Sequence, residues 1–407
     1  MHIFFFVLYL VLGSLTLTTF IYYVVNSFFS RRYSTSNVRN DLGPDDVTIV
    51  IPVYNEEEEI FKECIDSVSA QGSKFIVVGD SSYEPYRTIV EAKGGVFIHK
   101  PVREGQKKAI VTGLQYVETP YVLLMDSDTI LPENAVRSMV SHFVDGVGGV
   151  GPNISIKNTG TAVSYGSEFV ERSREVIFRA MSAHGSVMHL DGACVMYRTD
   201  VVKPFILSGE FADFKIMGKP TLLGEDWLLA LHTLNSGLEL VKDYSVTVKC
   251  YPQRNFKKFV KQSIRWSRSE WIRFGMDLKS GNAIKRGKFY TFELVYTYML
   301  PLIAVSVLAL RAYQFFAFTS NDIAFFDLFH DFLSLFIART WFFTMVRVGM
   351  YLVNFFGTGV FLVTVAGRIH SDRLRTLAYG GLAMGTLFLT TLYGLLTFWK
   401  RTGWMTR

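Results

Sequence analysis

The sequence predicts an α/β domain inserted between membrane-spanning helices, and three observations predict it. Of 407 residues, 49% are apolar and 19% charged, against roughly 25% charged in an average soluble domain. Residues 1–30 contain no Lys, Arg, Asp or Glu. From Val47 to about Gln253, short β-branched runs alternate with helical stretches. The composition excludes a disordered chain, a coiled coil and a collagen.

The N-terminal run exceeds the roughly 20 residues needed to span a bilayer. Positive charge follows it, at Arg31 and Arg32, so the N-terminus faces out and the next segment faces the cytoplasm. A cleaved signal would carry a basic start and a small-residue cleavage site, so the run is expected to remain as an anchor. The net charge of +6 suits juxtamembrane loops, since no domain-wide basic stripe points to nucleic acid. Cys64, Cys194 and Cys250 are far apart and form no CxxC, which argues against a disulfide framework or a zinc site.

Strands are expected at Val47–Val53, Phe75–Val78, Val96–Ile98 and Tyr121–Met125. The clearest helix is Glu56–Gln71, with Ile60, Cys64, Ile65 and Val68 on one face. Alternation of this kind implies a mostly parallel sheet covered on both faces. Ligands of such sheets sit beyond the carboxyl ends of the strands.

After Phe256 the character changes. Phe256–Leu278 carries six basic residues interleaved with Phe259, Trp266, Trp271 and Phe274, the mixture that a helix in the headgroup region needs. Leu294–Leu310, Val348–Gly367 and Thr376–Trp399 are nearly or fully free of charge, and Ile323–Val346 is apolar but broken by Asp327, Asp331 and Arg339. One N-terminal span and three or four C-terminal spans are expected. The basic segments Arg368–Arg375 and Lys400–Arg407 flank a single 24-residue run. Either one of them faces outside or that run does not cross once and cleanly. The resulting divisions are 1–30, 31–255, 256–288, 289–399 and a tail at 400–407.

Three constellations can carry chemistry. Asp126-Ser127-Asp128 follows an apolar strand, and two carboxylates there can hold Mn2+ or Mg2+ against a diphosphate. Gly224-Glu225-Asp226 precedes an apolar helical run; taken alone its acids read first as a helix cap, and only second as a general base for a hydroxyl. Gln262-Ser263-Ile264-Arg265-Trp266 offers a guanidinium fork for phosphate and an indole face for a sugar, or an interfacial Arg and Trp. His184 and His189 read as structural, and Cys194 as a small buried residue.

In this order, between apolar spans, Pro52-Val53-Tyr54-Asn55-Glu56, Asp80, DSD, GED and QxxRW resemble the family 2 membrane glycosyltransferases, which include cellulose, chitin and hyaluronan synthases. Gly192-Ala193-Cys194-Val195-Met196-Tyr197-Arg198 is similar to the acceptor segment of hyaluronan synthases. Gly403-Trp404-Met405-Thr406-Arg407 is similar to the ending of hyaluronan synthases and of the pneumococcal type 3 capsule synthase.

The resemblance implies a GT-A-type (Rossmann-like) cytoplasmic domain acting on a UDP-sugar donor and a growing polysaccharide acceptor. It implies that Pro52, Tyr54, Glu56 and Asp80 line the nucleotide pocket, with Lys107 or Lys108 reaching the phosphates. Asp126 and Asp128 hold the metal, Asp226 takes the acceptor proton, and Gln262, Arg265 and Trp266 serve the leaving group and the acceptor. Gly192, Cys194 and Tyr197 flank the acceptor, while Trp404 and Arg407 close the nucleotide site. The expected product is a β-linked polysaccharide moved across the plasma membrane by a multi-pass protein, with membrane lipids as partners and a monomer sufficing. Gln106 stands where the family has Lys, Glu225 where hyaluronan synthases have Asp, and Met405 where Gly is usual. Two other readings stay open: a non-processive transferase that adds one sugar to a lipid carrier, and an inactive transferase-like transporter or receptor.

Overall fold

The computed structural model describes residues 2–34, 38–185, 187–216, 218–220, 224–319 and 341–400. Helix α1 spans His2–Arg32. Strand β1 (Val47–Val53) follows, then α2 (Glu58–Ser69), β2 (Lys74–Asp80), α3 (Tyr86–Glu91), β3 (Val96–Lys100), α4 (Gln106–Leu114) and β4 (Tyr121–Met125). Next come β5 (Thr129–Ile130), α5 (Ala135–Ser141), β6 (Val147–Ile156), α6 (Ala162–Ser182), β7 (Cys194–Arg198) and α7 (Thr199–Leu207). A short hairpin of β8 (Lys215–Ile216) and β9 (Lys219–Pro220) leads to α8 (Glu225–Asn235) and β10 (Glu239–Cys250). The remainder is helical: α9 (Phe256–Ser280), α10 (Asn282–Lys285), α11 (Lys288–Thr319), α12 (Trp341–Ala366) and α13 (Arg373–Leu395).

Eight strands form one sheet in the order β3-β2-β1-β4-β7-β6-β10-β5. Strands β1, β2, β3 and β4 run parallel, while β7 is antiparallel to both β4 and β6. The sequence of β1, Val-Thr-Ile-Val-Ile-Pro-Val, is nearly continuous in apolar residues because helices cover both faces. Ile49, Ile51, Val77 and Leu123 pack with α2 and α5 on one side. Val50, Val78 and Leu124 pack with α4, α7 and α8 on the other. β1 is paired to β2 on one side and β4 on the other, so the connections leave to opposite faces there and open a crevice at its carboxyl end.

Three described helices have segments long and apolar enough to cross a membrane: Leu10–Arg32, Lys288–Ala309 and Val348–Ala366. Polar side chains link them inside the bundle. Tyr22 Oη lies 3.0 Å from Thr297 Oγ1, Asn26 Nδ2 donates to Glu293 Oε1 at 2.8 Å, and Arg31 donates to Thr364 Oγ1 at 2.8 Å. The core continues into one of these apolar helices: Tyr290, Leu294 and Tyr298 of α11 share the cluster that holds Trp271 of α9 and Trp227 of α8.

The charge-free run Thr376–Trp399, expected as a further span, packs against helices α6 and α9 as well. It falls in α13, which is not among the three membrane-length segments. A Cβ on Gly380 would lie 2.3 Å from the Phe169 ring, and one on Gly394 would lie 2.6 Å from Ser267 Cβ. Trp271 Nε1 donates to the Thr391 carbonyl at 2.9 Å, and Arg268 Nε to Thr397 Oγ1 at 3.0 Å. Its other face exposes Leu374, Leu382, Leu389 and Leu396. Basic residues at both ends and exposed leucines along one side are a composition suited to a helix at a membrane surface. Residues 320–340, which hold most of another expected span, and the tail with Trp404 and Arg407 lie outside the described residues.

Candidate active site

The carboxyl ends of β1, β2 and β4 converge as the sheet topology requires. Pro52 and Tyr54 leave β1, Asp80 closes β2, and Asp126, Ser127 and Asp128 follow β4; all line one cavity of about 490 Å³. The Asp80 carboxylate accepts from the backbone N–H groups of Glu104 (2.9 Å) and Gly105 (2.8 Å), so it shapes the loop that enters α4. Gln106 Nε2 donates to Asp126 Oδ1 at 2.9 Å. Glu56 does not line this cavity; its Oε2 accepts from Ser127 Oγ at 2.9 Å and braces the DSD turn from behind.

The two lysines after Gln106 depart from expectation. Lys108 turns outward to Glu104, 3.0 Å away. Lys107 is buried, its Nζ 5.8 Å and 5.6 Å from the ring centres of Phe211 and Phe214. Burial pushes its ammonium down to about 8, against the pull of Glu225 and Asp226. Helical spacing explains the split, since consecutive residues on α4 lie on different faces and Gln106 takes the cavity side.

The segment expected to flank the acceptor runs beside the DSD turn because β7 is antiparallel to β4, pairing Met125 with Cys194. The Asp126 N–H donates to the Ala193 carbonyl at 3.0 Å. Gly192 and Ala193 line the cavity, whereas Cys194 and Tyr197 are buried within the sheet and do not. Gly192 faces Asp226 closely: a Cβ there would meet Asp226 Cβ at 3.1 Å.

Asp226 sits in the first turn of α8. Gly224 precedes it at φ +87°, where a Cβ would also collide with the Trp227 indole, so only glycine fits. Asp226 Oδ1 accepts from the Trp227 N–H at 2.8 Å. Burial first, then the neighbouring carboxylates Glu225 and Glu270, push the Asp226 carboxyl up to about 7. A buried acid with such a proton affinity is suited to taking a proton from a hydroxyl near neutral pH. Opposite it, α9 presents Gln262, Arg265 and Trp266 to the same cavity. Asn255 caps this helix by accepting from the Lys258 N–H at 2.9 Å.

Deeper in the cavity lies a charged cluster with no motif to mark it. Arg174 of α6 pairs with Glu171 at 3.0 Å and with Asp191, and Lys242 also pairs with Asp191. Burial opposes ionisation of Asp191, but Arg174 and Lys242 outweigh it and hold the carboxyl far below its usual range. His189 stands between two guanidinium groups, 3.2 Å from Arg174 Nη2 and 2.8 Å from Arg273 Nη1. Burial and Arg273 push its imidazole down to about 3, so it is neutral at physiological pH. Arg273 also pairs with Glu270 at 2.7 Å, and Tyr298 of α11 bonds both. The cavity continues past this cluster along Thr297, Tyr298 and Pro301 of α11 and Met384, Leu387, Phe388 and Thr391 of α13.

Comparison with known proteins accords with this geometry. The model of glycosyl transferase family 2 matches residues 48–205. An N-acetylglucosaminyltransferase of Azorhizobium caulinodans is 24% identical over 263 residues, which are 61% of this chain and 65% of that protein. A hyaluronan synthase of Streptococcus pyogenes is 27% identical over 247 residues, 55% of this chain and 56% of that one. The chain therefore matches less than two thirds of the length of these curated relatives. A solved mannosyltransferase of Pyrobaculum calidifontis, in complex with GDP-Man and Mn2+, superposes with a TM-score of 0.53 at 16% identity, covering 88% of this chain and 98% of that one. The shared fold is the GT-A-type α/β domain anticipated from the motifs.

Proposed function

Given that this chain carries a family 2 glycosyl transferase domain and resembles hyaluronan synthase, we propose that it is a processive, inverting glycosyltransferase. On this reading it polymerises UDP-activated sugars into a β-linked polysaccharide at the cytoplasmic face of the cell membrane and moves the product across. The carrying observation is one continuous cavity, lined by the strand ends, Asp226 and QxxRW, that runs on to the membrane helix α11.

The acceptor hydroxyl oxygen attacks the anomeric carbon as its proton passes to Asp226. The bond from that carbon to the β-phosphate oxygen breaks, and UDP leaves with the electron pair. A single displacement inverts the anomeric centre. Pro52, Tyr54 and Asp80 form the nucleotide end, Arg265 faces the developing phosphate charge, and Trp266 underlies the acceptor sugar beside Gly192. Asp126 and Asp128 offer hard oxygen donors at the strand end, which fits Mg2+ or Mn2+ completed by diphosphate oxygens. Such an ion supplies charge stabilisation to the leaving group. Trp404 and Arg407 retain their proposed closing role.

A second reading has support of its own. The apolar wall formed by Met384, Leu387 and Phe388 suits an acceptor carried on a lipid, as a non-processive transferase would use. UDP release by the purified protein tests both. UDP-glucose, UDP-GlcNAc, UDP-glucuronate, UDP-galactose and GDP-Man are offered singly and in pairs with Mn2+ or Mg2+, and products are sized. Long polymer from UDP-sugars supports the proposal, and a short lipid-extractable product replaces it with the second reading. Turnover with GDP-Man alone overturns the UDP assignment.

A further inference from the structure

Resting on the reading of Asp226 as the proton acceptor, we propose that Glu270 is its positioning residue: it holds a second carboxylate in the cavity of Asp226 and ties it to helix α11. No motif marks Glu270, which lies one turn beyond Trp266 on the inner side of α9.

Both carboxylates line the same cavity, and their helices are held in register. Trp227, directly after Asp226, donates its Nε1–H to Oγ of Ser269, directly before Glu270, at 2.9 Å. Glu270 itself is fixed by Arg273 at 2.7 Å and by the Tyr298 hydroxyl of α11. Arg273 in turn is shared with His189. The charged and titratable groups whose fields reach Asp226 are Glu225 from its own helix, Glu270 and Arg273 from α9, Lys107 from α4 and Tyr197 from β7.

Glu225 is the carboxylate next to Asp226 in the chain and Glu270 is the one contributed by another helix. Among these partners Glu270 raises the proton affinity of Asp226 and Arg273 lowers it, with Glu270 the larger of the two. Burial opposes ionisation of Glu270, yet Arg273, His189 and Tyr298 draw its carboxyl down to about 2, so it is a permanent anion. A fixed negative charge beside an acid favours the acid's protonated form, which makes its conjugate base the stronger proton acceptor. Displacing α11 shifts Tyr298, and through it the charge that Asp226 senses.

The readout is the pH dependence of UDP release, whose acidic limb reports ionisation of the base. Asp226→Asn is run first; turnover that survives it overturns the base reading and this proposal together. With turnover lost there, Glu270→Gln is expected to move the acidic limb to lower pH by about one unit and to lower the plateau rate. Glu270→Asp keeps the charge and leaves the limb close to wild type. A limb unmoved in Glu270→Gln, or moved equally by Glu270→Asp, overturns the proposal while leaving Asp226 as the base. Glu270→Gln strands Arg273 without its counter-ion, so the double variant Glu270→Gln/Arg273→Gln accompanies it. Because the Glu270 effect exceeds that of Arg273, the double variant still moves the limb down, by less. If only that variant folds, a limb that stays or rises overturns the proposal.

Discussion

Asp226→Asn is expected to make the protein more stable as it makes it inactive, and the gain should depend on pH. The folded-state carboxyl titrates at about 7, whereas an unfolded aspartate titrates near about 3.9. The folded state therefore holds a proton that the unfolded state has released between those values, and wild-type stability falls as pH rises through that window. About three units at about 1.4 kcal/mol each give an upper bound of about 4 kcal/mol, and partial solvent access reduces this to about 2–4 kcal/mol. The amide carries no charge and keeps an oxygen for the Trp227 N–H that Asp226 now accepts. Thermal unfolding in detergent, followed from pH 4 to pH 8.5, should show the two proteins melting together at the acid end. Above neutrality the variant should melt on the order of 5 °C higher. Melting curves that differ by a constant offset at every pH would refute the reasoning, because the offset could not come from an ionising group.

Three further outcomes follow from the same geometry. Gly192→Ala places a Cβ 3.1 Å from Asp226 Cβ; the base must yield by a few tenths of an ångström, and kcat should fall about tenfold with an unchanged melting temperature. Removing divalent cations with EDTA should abolish UDP release, with Mn2+ restoring it, and Asp128→Asn should raise the Mn2+ concentration needed for half activity; full activity in EDTA would refute the metal assignment. Arg373→Cys at the start of α13 and Lys400→Cys five residues beyond its end should both react with a membrane-impermeant maleimide from the same side of sealed vesicles. Labelling from opposite sides would mean that α13 spans the membrane.

Much of the catalytic half was legible because strand-end chemistry is local. The four parallel strands betray themselves as apolar runs, and three of those runs, β1, β2 and β4, end at a polar residue that lines the cavity or shapes it: Tyr54, Asp80, Asp126. Helix direction was harder to read. Nothing in Gly105-Gln106-Lys107-Lys108 distinguishes the residue facing the cavity from the two that do not, since that depends on how α4 docks on β1 and β2. Arg174, His189, Asp191, Glu270 and Arg273 come from α6, α9 and the segment before β7, and they meet only through tertiary packing. The one available hint was density of ionisable residues in α6, where Glu168, Glu171, Arg172, Arg174 and Glu175 crowd a helix that also buries Val170, Val176 and Phe178. At α13 the glycines at 380 and 394 serve close contact with Phe169 and Ser267, which a charge-free composition does not reveal.

The peptide hydrogen bond from Asp126 to Ala193, which extends the β4–β7 ladder, has a thermodynamic consequence. It joins the turn whose carboxylates are proposed to face the metal to the segment proposed to flank the acceptor. On that proposal an adjustment that a donor imposes on the first reaches the second, and the two ligands report on each other through a common free energy. Linkage makes that exchange symmetric: whatever factor the nucleotide sugar contributes to acceptor affinity, the acceptor returns to the nucleotide sugar. Substrate affinities measured one at a time therefore understate how tightly the pair is held when both are bound, or overstate it, by one and the same ratio.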